Sequence, residues 1–244
     1  MAIAPTTKPA QIFYPSSDGE PVAETYIHFY ALLVTLEVLR QYLEGRQATV
    51  LGNQFLYYAQ GFPKLRVAPD VMVIFDVAPG GRDNYKIWEE GQVPSVIFEM
   101  TSKGTQNQDQ HFKKTLYEQL GVQEYWLFDP KGEWIKQQLQ GYRLRGEQYE
   151  PITDGRSEPL QLRVEVDGQL LAFYREDTGN KLLIPGELAQ ALQEEMAARQ
   201  QAEERAQEER QRAEQAALQV EQLKQRLRSL GIDPDANPDA ESAI

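Results

Sequence analysis

Apolar residues recur at helical spacing near the start of the chain. Ile27, Leu32 and Leu36 lie about one turn apart in a segment that closes at Gly45. This spacing places them on one face of a helix, and glycine commonly follows a helix because it readily adopts left-handed backbone angles. The pattern predicts a first helix with one buried face.

Shorter apolar runs with β-branched and aromatic residues follow, separated by turn-forming residues, and they predict strands. The turn sequence GFPK lies between the first two runs, so we expect these to pair as antiparallel neighbours. Residues 108–121 have helical periodicity and a glycine stop. The predicted strand segments are residues 48–60, 65–77, 93–100 and 123–129, with β-hairpins over residues 132–174. The order α-β-β-β-α-β predicts an α/β domain with a central mixed sheet flanked by helices.

From Glu187 onward the chain is rich in Glu, Gln, Arg and Ala, which favour helix, so we predict one long helix. Its seven-residue apolar repeat is interrupted by Glu195, Arg199 and Glu209 and is regular only near the end. A solvated charged helix and a coiled coil that pairs two subunits or recruits another protein both fit this pattern. The apolar positions of the repeat are Leu188, Leu192, Ala202, Ala206, Ala213, Ala216, Val220, Leu223, Leu227 and Leu230.

These patterns divide the chain into four segments. Residues 1–22 form a Pro- and Ser-containing leader, and residues 23–185 form one globular domain. Residues 186–231 form the charged helix. Residues 232–244 carry Pro and acidic residues with little apolar content, so we expect them to be disordered.

Composition limits the compartment and the kinds of site. The chain has no cysteine, which excludes disulfides, thiolate metal sites and cysteine nucleophiles and fits a reducing cytoplasm. No apolar run approaches the roughly 20 residues of a membrane span, and the start lacks the basic and apolar blocks of a signal peptide. We expect a cytoplasmic protein without a membrane partner.

The net charge opposes binding to the phosphates of nucleic acid. It is formally −12, and half of it lies in residues 186–244, so the remaining body is still acidic. A bound divalent cation or a small basic strip would offset part of this charge locally. The charge therefore counts against a nucleic-acid partner without excluding one.

Two acids interrupt otherwise apolar strands. Asp70 follows Pro69 at the start of DVMVIFDV, and Glu99 ends VIFE. An ionised carboxylate at such a place costs several kcal/mol unless it is paired or bound to a metal. Carboxylates are also the usual ligands of Mg²⁺ in enzymes that hydrolyse phosphodiesters. On spacing alone, a metal site and an ordinary turn-forming role at a strand end both stay open.

Other chemistries have little support in the sequence. The chain contains no GxxxxGK[ST], GxSxG or HExxH motif. Its two histidines, His28 and His111, do not form a metal-type cluster in sequence, so we expect no histidine metal centre and an exposed His111. The aromatic residues of the strand segments are expected in the core rather than stacked on bases.

Several sequence strings, in their order and spacing, resemble the Uma-two family of restriction-endonuclease-like proteins in the PD-(D/E)XK nuclease superfamily. The resemblance covers about residues 23–183 and rests on VAPDVMVIFDV, VPSVIFEMTSKGT, DQHFKKTLYEQLGVQEYWLFDP and GYRL. The helical tail is similar to that of many cyanobacterial members. The resemblance implies a restriction-endonuclease-like core, a Mg²⁺ or Mn²⁺ cofactor, and hydrolysis of nucleic acid, with DNA as the expected substrate. It places the metal ligands at Asp70 and Glu99.

The lysine of the superfamily pattern is displaced in this chain. That pattern has Lys two residues after the acid, where this chain has Thr101. The resemblance implies that Lys113, spaced by four residues from both Asp109 and Tyr117, stabilises charge or positions a water instead. Lys103 is the second candidate, and each lysine could equally be an ordinary solubilising side chain.

An early pair, Glu24 and His28, also matches the family and is spaced by four residues. The pair could complete the metal site, with Glu24 as a further ligand, or orient a water. A capping or surface role for His28 is at least as well supported.

Two alternatives to an enzyme stay open. One is an interaction protein that has lost cleavage and recruits a protein partner through its C-terminal helix. The other binds nucleic acid without cleaving it. For the enzyme we expect a homodimer, because restriction-type nucleases commonly cut two strands with two subunits and two-fold pairing is the most frequent oligomer geometry.

Overall fold

A computed structural model describes residues 12–19 and 24–231. Residues up to Pro185 form one compact unit, the body, and residues from Gly186 form a second unit, the tail. The helices are α1 (Tyr26–Tyr42), α2 (Ile87–Glu90), α3 (Lys114–Leu120), which continues a π-helical segment Gln108–Lys113, and α4 (Pro185–Ser229). The strands are β1 (Ala48–Gly52), β2 (Leu56–Tyr57), β3 (Arg66–Val67), β4 (Val71–Phe75), β5 (Tyr85–Lys86), β6 (Val96–Met100), β7 (Glu124–Phe128), β8 (Leu139–Arg145), β9 (Gln148–Ile152), β10 (Arg156–Ser157), β11 (Leu162–Asp167) and β12 (Leu170–Arg175).

A six-stranded mixed sheet forms the centre of the body, in the order β1-β4-β6-β7-β8-β9. Strands β6 and β7 are parallel, and the other neighbours are antiparallel. The predicted α/β class with a mixed sheet is therefore confirmed. The antiparallel pairing of the first two predicted strand segments is confirmed as well, because β1 pairs with β4.

Both faces of the central sheet are covered by other elements. On one face Phe98 and Trp126 pack with Phe173 of the small sheet β10-β11-β12, and α1 lies in the same apolar cluster. On the other face Tyr117 of α3 packs edge-on against Tyr125 of β7. Burial on both faces explains why β4, β6 and β7 are continuous apolar runs rather than alternating ones.

Two predicted strand segments are divided in the structure: residues 65–77 form β3 and β4, and residues 48–60 form β1 and β2. Residues 48–60 were expected to form a single strand, but β1 ends at Gly52 and Asn53 has a left-handed φ of 49°. The chain continues as β2, which pairs with β3 and β5 in a separate three-stranded sheet. Strands of two residues contain too few positions for a periodic signal, so the sequence could not reveal this sheet.

Part of the predicted leader packs against this small sheet. Tyr57 Oη donates a hydrogen bond of 2.6 Å to the carbonyl of Pro15, and the ring of Tyr14 lies edge-on to Tyr57 at 5.1 Å. The side-chain amide of Asn84 donates to the carbonyl of Tyr14 at 3.2 Å. Residues 12–19 therefore contribute to the packing of the body.

Helix α4 has 45 residues and includes nearly all of the tail that the structure describes, which confirms the predicted long C-terminal helix. None of its described residues is buried. Ion pairs at four-residue spacing, Arg199 with Glu203 and Arg212 with Glu208, lie along it, and each stabilises such a helix by about 0.2–0.5 kcal/mol. Its pairing as a coiled coil stays a prediction, and the disorder predicted for residues 232–244 lies outside the described residues. No described helix is long and apolar enough to cross a membrane.

Candidate active site

Asp70 and Glu99 lie beside each other on neighbouring strands. Val71 pairs with Phe98 in the antiparallel β4–β6 ladder, so the residue before β4 faces the residue after Phe98. The backbone N–H of Met100 donates to Asp70 Oδ2 at 2.6 Å, and the N–H of Asp70 lies 3.4 Å from Glu99 Oε2. The structure brings together the two carboxylates that the sequence singled out.

Glu99 is almost fully buried, with 1% of its surface exposed, and both of its oxygens have partners. Tyr117 Oη donates to Oε1 at 2.8 Å, and Lys113 Nζ lies 2.8 Å from Oε2. Burial raises the pKa of Glu99; Lys113 opposes this rise, while Asp70 and Asp109 add to it. The carboxylate is therefore held in an environment that strongly favours a nearby positive charge.

The side chains that the sequence spaced by four residues, from Asp109 to Tyr117, lie next to Glu99. Asp109, Lys113 and Tyr117 are all buried, and Lys113 Nζ lies 3.0 Å from Asp109 Oδ1 as well as contacting Glu99. The turn that carries Asp109 and Lys113 is π-helical, a local widening that is frequent at functional sites and that the apolar spacing did not reveal. Tyr125 Oη fixes this turn by donating to the carbonyl of Asp109 at 3.0 Å.

The start of helix α1 brings Glu24 and His28 together: His28 lies in the first turn, and Glu24 directly precedes the N-cap residue Thr25. Thr25 caps the helix, its hydroxyl accepting from the N–H of His28 at 3.4 Å. His28 Nε2 lies 3.3 Å from Glu24 Oε2 and 3.7 Å from Asp70 Oδ2. This nitrogen is buried and has no hydrogen-bond partner within residues 12–19 and 24–231. Burial lowers the pKa of His28, but Asp70, Glu24 and Asp109 outweigh that effect and leave the pKa raised.

The expectation that no histidine would join a metal-type cluster does not match this arrangement. One ligand atom each from Glu24, His28 and Asp70 lies within 4.8 Å of the other two. The signal in the sequence was the four-residue spacing of Glu24 and His28. Their approach to Asp70 depends on how α1 packs on the sheet, which no local pattern specifies.

The cluster has more acids than bases. Glu24, Asp70, Glu99 and Asp109 face Lys113 and His28; we call these six residues the carboxylate cluster. Burial raises the pKa of Glu24, His28 opposes this, and Asp70 adds to it, as expected where carboxylates crowd together. A divalent cation fits this set, because it would neutralise the surplus negative charge and supply a partner for His28 Nε2.

The remaining candidates lie elsewhere. Lys103 is exposed on the loop after β6 and has no ion pair within the described part of the chain, unlike Lys113. His111 is exposed, as predicted, although it lies on the π-helical turn. Thr101, at the position of the missing motif lysine, is buried. In the folded structure, Lys113 rather than residue 101 places an ammonium group next to Glu99.

Comparisons with known proteins place the chain in a family. Residues 8–172, more than half of the chain, match the family Uma2, described as "Putative restriction endonuclease". A structural search matched the crystal structure of a "putative nuclease belonging to DUF820" from Anabaena variabilis, with 15% sequence identity, a TM-score of 0.41, and coverage of 58% of this chain and 77% of that one. No curated protein matched the chain. On the family match, the chain belongs to the Uma2 family of restriction-endonuclease-like nucleases.

Proposed function

We propose that this protein is a metal-dependent endonuclease that hydrolyses phosphodiester bonds in DNA. The observation that carries the proposal is the surplus of carboxylates around Asp70 and Glu99, together with the buried Nε2 of His28, which lies close to Glu24 and Asp70 but makes no hydrogen bond to any described residue. Buried like charges of this kind destabilise a fold unless a cation or a substrate balances them. The family of the chain supports phosphodiester hydrolysis as the chemistry that such a cluster would perform.

Asp70, Glu99 and Glu24 would hold the cation, with His28 as a nitrogen ligand. The carboxylates suit both Mg²⁺ and Mn²⁺, and Mn²⁺, as a transition metal, accepts an imidazole nitrogen more readily than Mg²⁺ does, so we expect either ion to bind and Mn²⁺ to bind more tightly. When bound, a divalent cation polarises the phosphodiester and acidifies a coordinated water.

Lys113 supplies positive charge at the phosphate. Burial alone would lower its pKa, but Glu99, Asp109 and Asp70 raise it well above the usual value, so the ammonium group stays charged. Tyr117 and Asp109 fix the positions of Glu99 and Lys113 through the contacts described above. In the reaction the water oxygen bonds to phosphorus, the bond from phosphorus to the 3′ oxygen breaks, the water loses a proton to solvent, and the leaving oxygen gains one.

A cleavage assay on supercoiled plasmid DNA tests the proposal. The protein should nick or linearise the plasmid in Mn²⁺ or Mg²⁺ and not in EDTA, and Asp70→Asn should abolish this cleavage. The matched control is Asp177→Asn, which changes an exposed acid paired with Arg175 and should cut like the parent protein. A parent protein that never cuts would contradict the proposal and favour the interaction protein.

Homodimerisation and a protein partner for α4 belong to the same proposal. The body would pair on its own, because restriction-type nucleases commonly cut two strands with two subunits. Helix α4 would strengthen this pairing or recruit another protein, and the support for this role is its length and its exposed apolar residues, such as Leu218, Val220 and Leu223.

A further inference from the structure

A cavity of about 240 Å³ opens beside the carboxylate cluster. His28 belongs to both, and Thr101, another lining residue, follows Glu99 by two positions. The walls are mostly apolar and include Ile27 and Trp134. The volume lies below the roughly 300–1,000 Å³ of pockets for drug-sized ligands, so the cavity suits one small planar ring system.

The loop that forms one wall is fixed by a buried carboxylate. Asp129 Oδ1 accepts from the N–H groups of Lys131 and Gly132 at 3.1 and 3.0 Å. Its Oδ2 accepts from the N–H groups of Trp134 and Ile135 at 2.5 and 3.2 Å. The backbone of this loop is therefore fixed before any ligand arrives, which lowers the entropic cost of binding.

The chemistry of the lining matches that of a nucleotide. The indole of Trp134 offers a face on which a base can stack. The hydroxyl of Thr101 is buried and has no hydrogen-bond partner among the described residues, so it can contact a polar edge of the base. Lys103 and Lys131 are exposed and line the same cavity, where they can meet the flanking phosphates.

We propose that this cavity receives one unpaired nucleobase of the substrate, next to the phosphodiester that is cleaved. The inference rests on the proposed nuclease function and names the substrate class more narrowly. A paired base would have to leave its helix to enter the cavity, which costs free energy, whereas a base in a single strand or a bulge enters without that cost. The protein therefore prefers DNA with an unpaired base to fully paired duplex.

Fluorescence anisotropy with the full chain tests this preference. The probes are a fluorescein-labelled duplex, the same duplex with one bulged nucleotide, and the same bulge without its base. Ca²⁺ is the divalent cation, and a gel confirms that the DNA stays intact. The bulged duplex should bind about tenfold more tightly than the paired one, as stacking of one base allows, and the abasic bulge should lose this advantage.

Variants assign the preference to the cavity. Trp134→Ala should bind paired and bulged duplex equally, Trp134→Phe should keep part of the preference, and Trp88→Phe, outside the cavity, should keep all of it. Equal binding of paired and bulged duplex by the parent protein would overturn the inference, as would tight binding of the abasic bulge. Displacement of the bulged DNA by micromolar deoxynucleoside monophosphate would also overturn it, since the cavity would then serve a free nucleotide.

The plasmid assay with Asp70→Asn fails or succeeds independently of this preference. Cleavage that depends on Asp70, without preferential binding of the bulged duplex, would support the proposed function and overturn only the base pocket. Preferential binding of the bulged duplex, without any cleavage of DNA, would support the base pocket and overturn the nuclease assignment.

Discussion

Two buried glutamates on neighbouring parallel strands have opposite surroundings. Glu99 on β6 belongs to the carboxylate cluster, and Glu124 lies on β7. Glu124 Oε1 accepts from Arg143 Nε at 2.8 Å and from the N–H of Glu158 at 2.9 Å, while Oε2 accepts from Trp126 Nε1 at 3.2 Å. Arg143 and Arg145 also both pair with the carboxylate of Glu158.

Around Glu124 the acids and the bases balance, with Glu124 and Glu158 facing Arg143 and Arg145. Around Glu99 they do not, and a buried histidine nitrogen has no hydrogen-bond partner among the described residues. The comparison teaches that burial of an acid is by itself a poor sign of function. The surplus of one charge and the unused ligand atom separate a site from a structural ion pair.

The largest expected effect is a difference in DNA cleavage between variants of the two glutamates. Glu99→Gln should lower DNA cleavage by about 10³-fold, because it removes the charge that faces Lys113 and the cation. Glu124→Gln should cleave within a few-fold of the parent protein when rates are compared per folded molecule. Initial rates on plasmid DNA, normalised by circular dichroism, measure both. A comparable loss in both variants would remove the distinction.

The second expected effect is a difference in cleavage rate between variants of two lysines, Lys113 and Lys103. Lys113→Met should lower the rate by about 10²-fold, because it removes the ammonium group that contacts Glu99 and Asp109. Lys103→Met should have a milder effect, because this side chain is exposed and lies at the cavity. Single-turnover cleavage rates give the comparison. The opposite order would transfer the catalytic role to the loop.

The third expected effect concerns stability, for which the order of the two glutamate variants should be the opposite of their order in activity. Glu124→Gln should lower the free energy of unfolding by about 2–4 kcal/mol, because Arg143 would lose its buried carboxylate and keep Glu158, which is half exposed, as its charged partner. Glu99→Gln should change stability by less, because it also relieves repulsion among Glu99, Asp70 and Asp109. Urea denaturation of both variants in EDTA tests this. Equal destabilisation would show that the charge surplus around Glu99 has no energetic consequence.

The smallest expected effect concerns the tail. Deleting residues 187–244 should leave a folded body that is still dimeric at micromolar concentration, because only Val220 to Leu230 offers a run of large apolar positions, about two heptads. Light scattering on the truncated chain measures this. A monomer would assign dimerisation to the tail, and a trimer or tetramer would show that the heptad pattern was misinterpreted.

The sequence predicted the long strands of the fold better than it predicted the short strands and the site residues. The long apolar runs around Asp70 and Glu99 marked β4 and β6, because strands buried on both faces need uninterrupted apolar residues. The two-residue strands β2, β3 and β5 gave no such signal. The resemblance to the nuclease family supplied Lys113, since the local motif has Thr101 at the expected position.

The site was harder to predict because it is assembled from distant segments. The four-residue spacing predicted Glu24 and His28 on one helix face, but Glu24 lies just before the N-cap of α1, and the distance of the pair from Asp70 depends on the packing of α1. The cavity likewise combines α1, the loop after β6 and the loop after β7. Contacts between segments so far apart in the chain leave no periodic pattern in either one.

Anomalous diffraction from crystals soaked in MnCl₂ tests the central claim most directly. We predict one strong manganese peak at the carboxylate cluster, in contact with Asp70, and no peak near Glu124. The same soak of Asp70→Asn crystals should lose the peak. A cluster that stays without manganese, or a peak at Glu124 instead, would contradict the account.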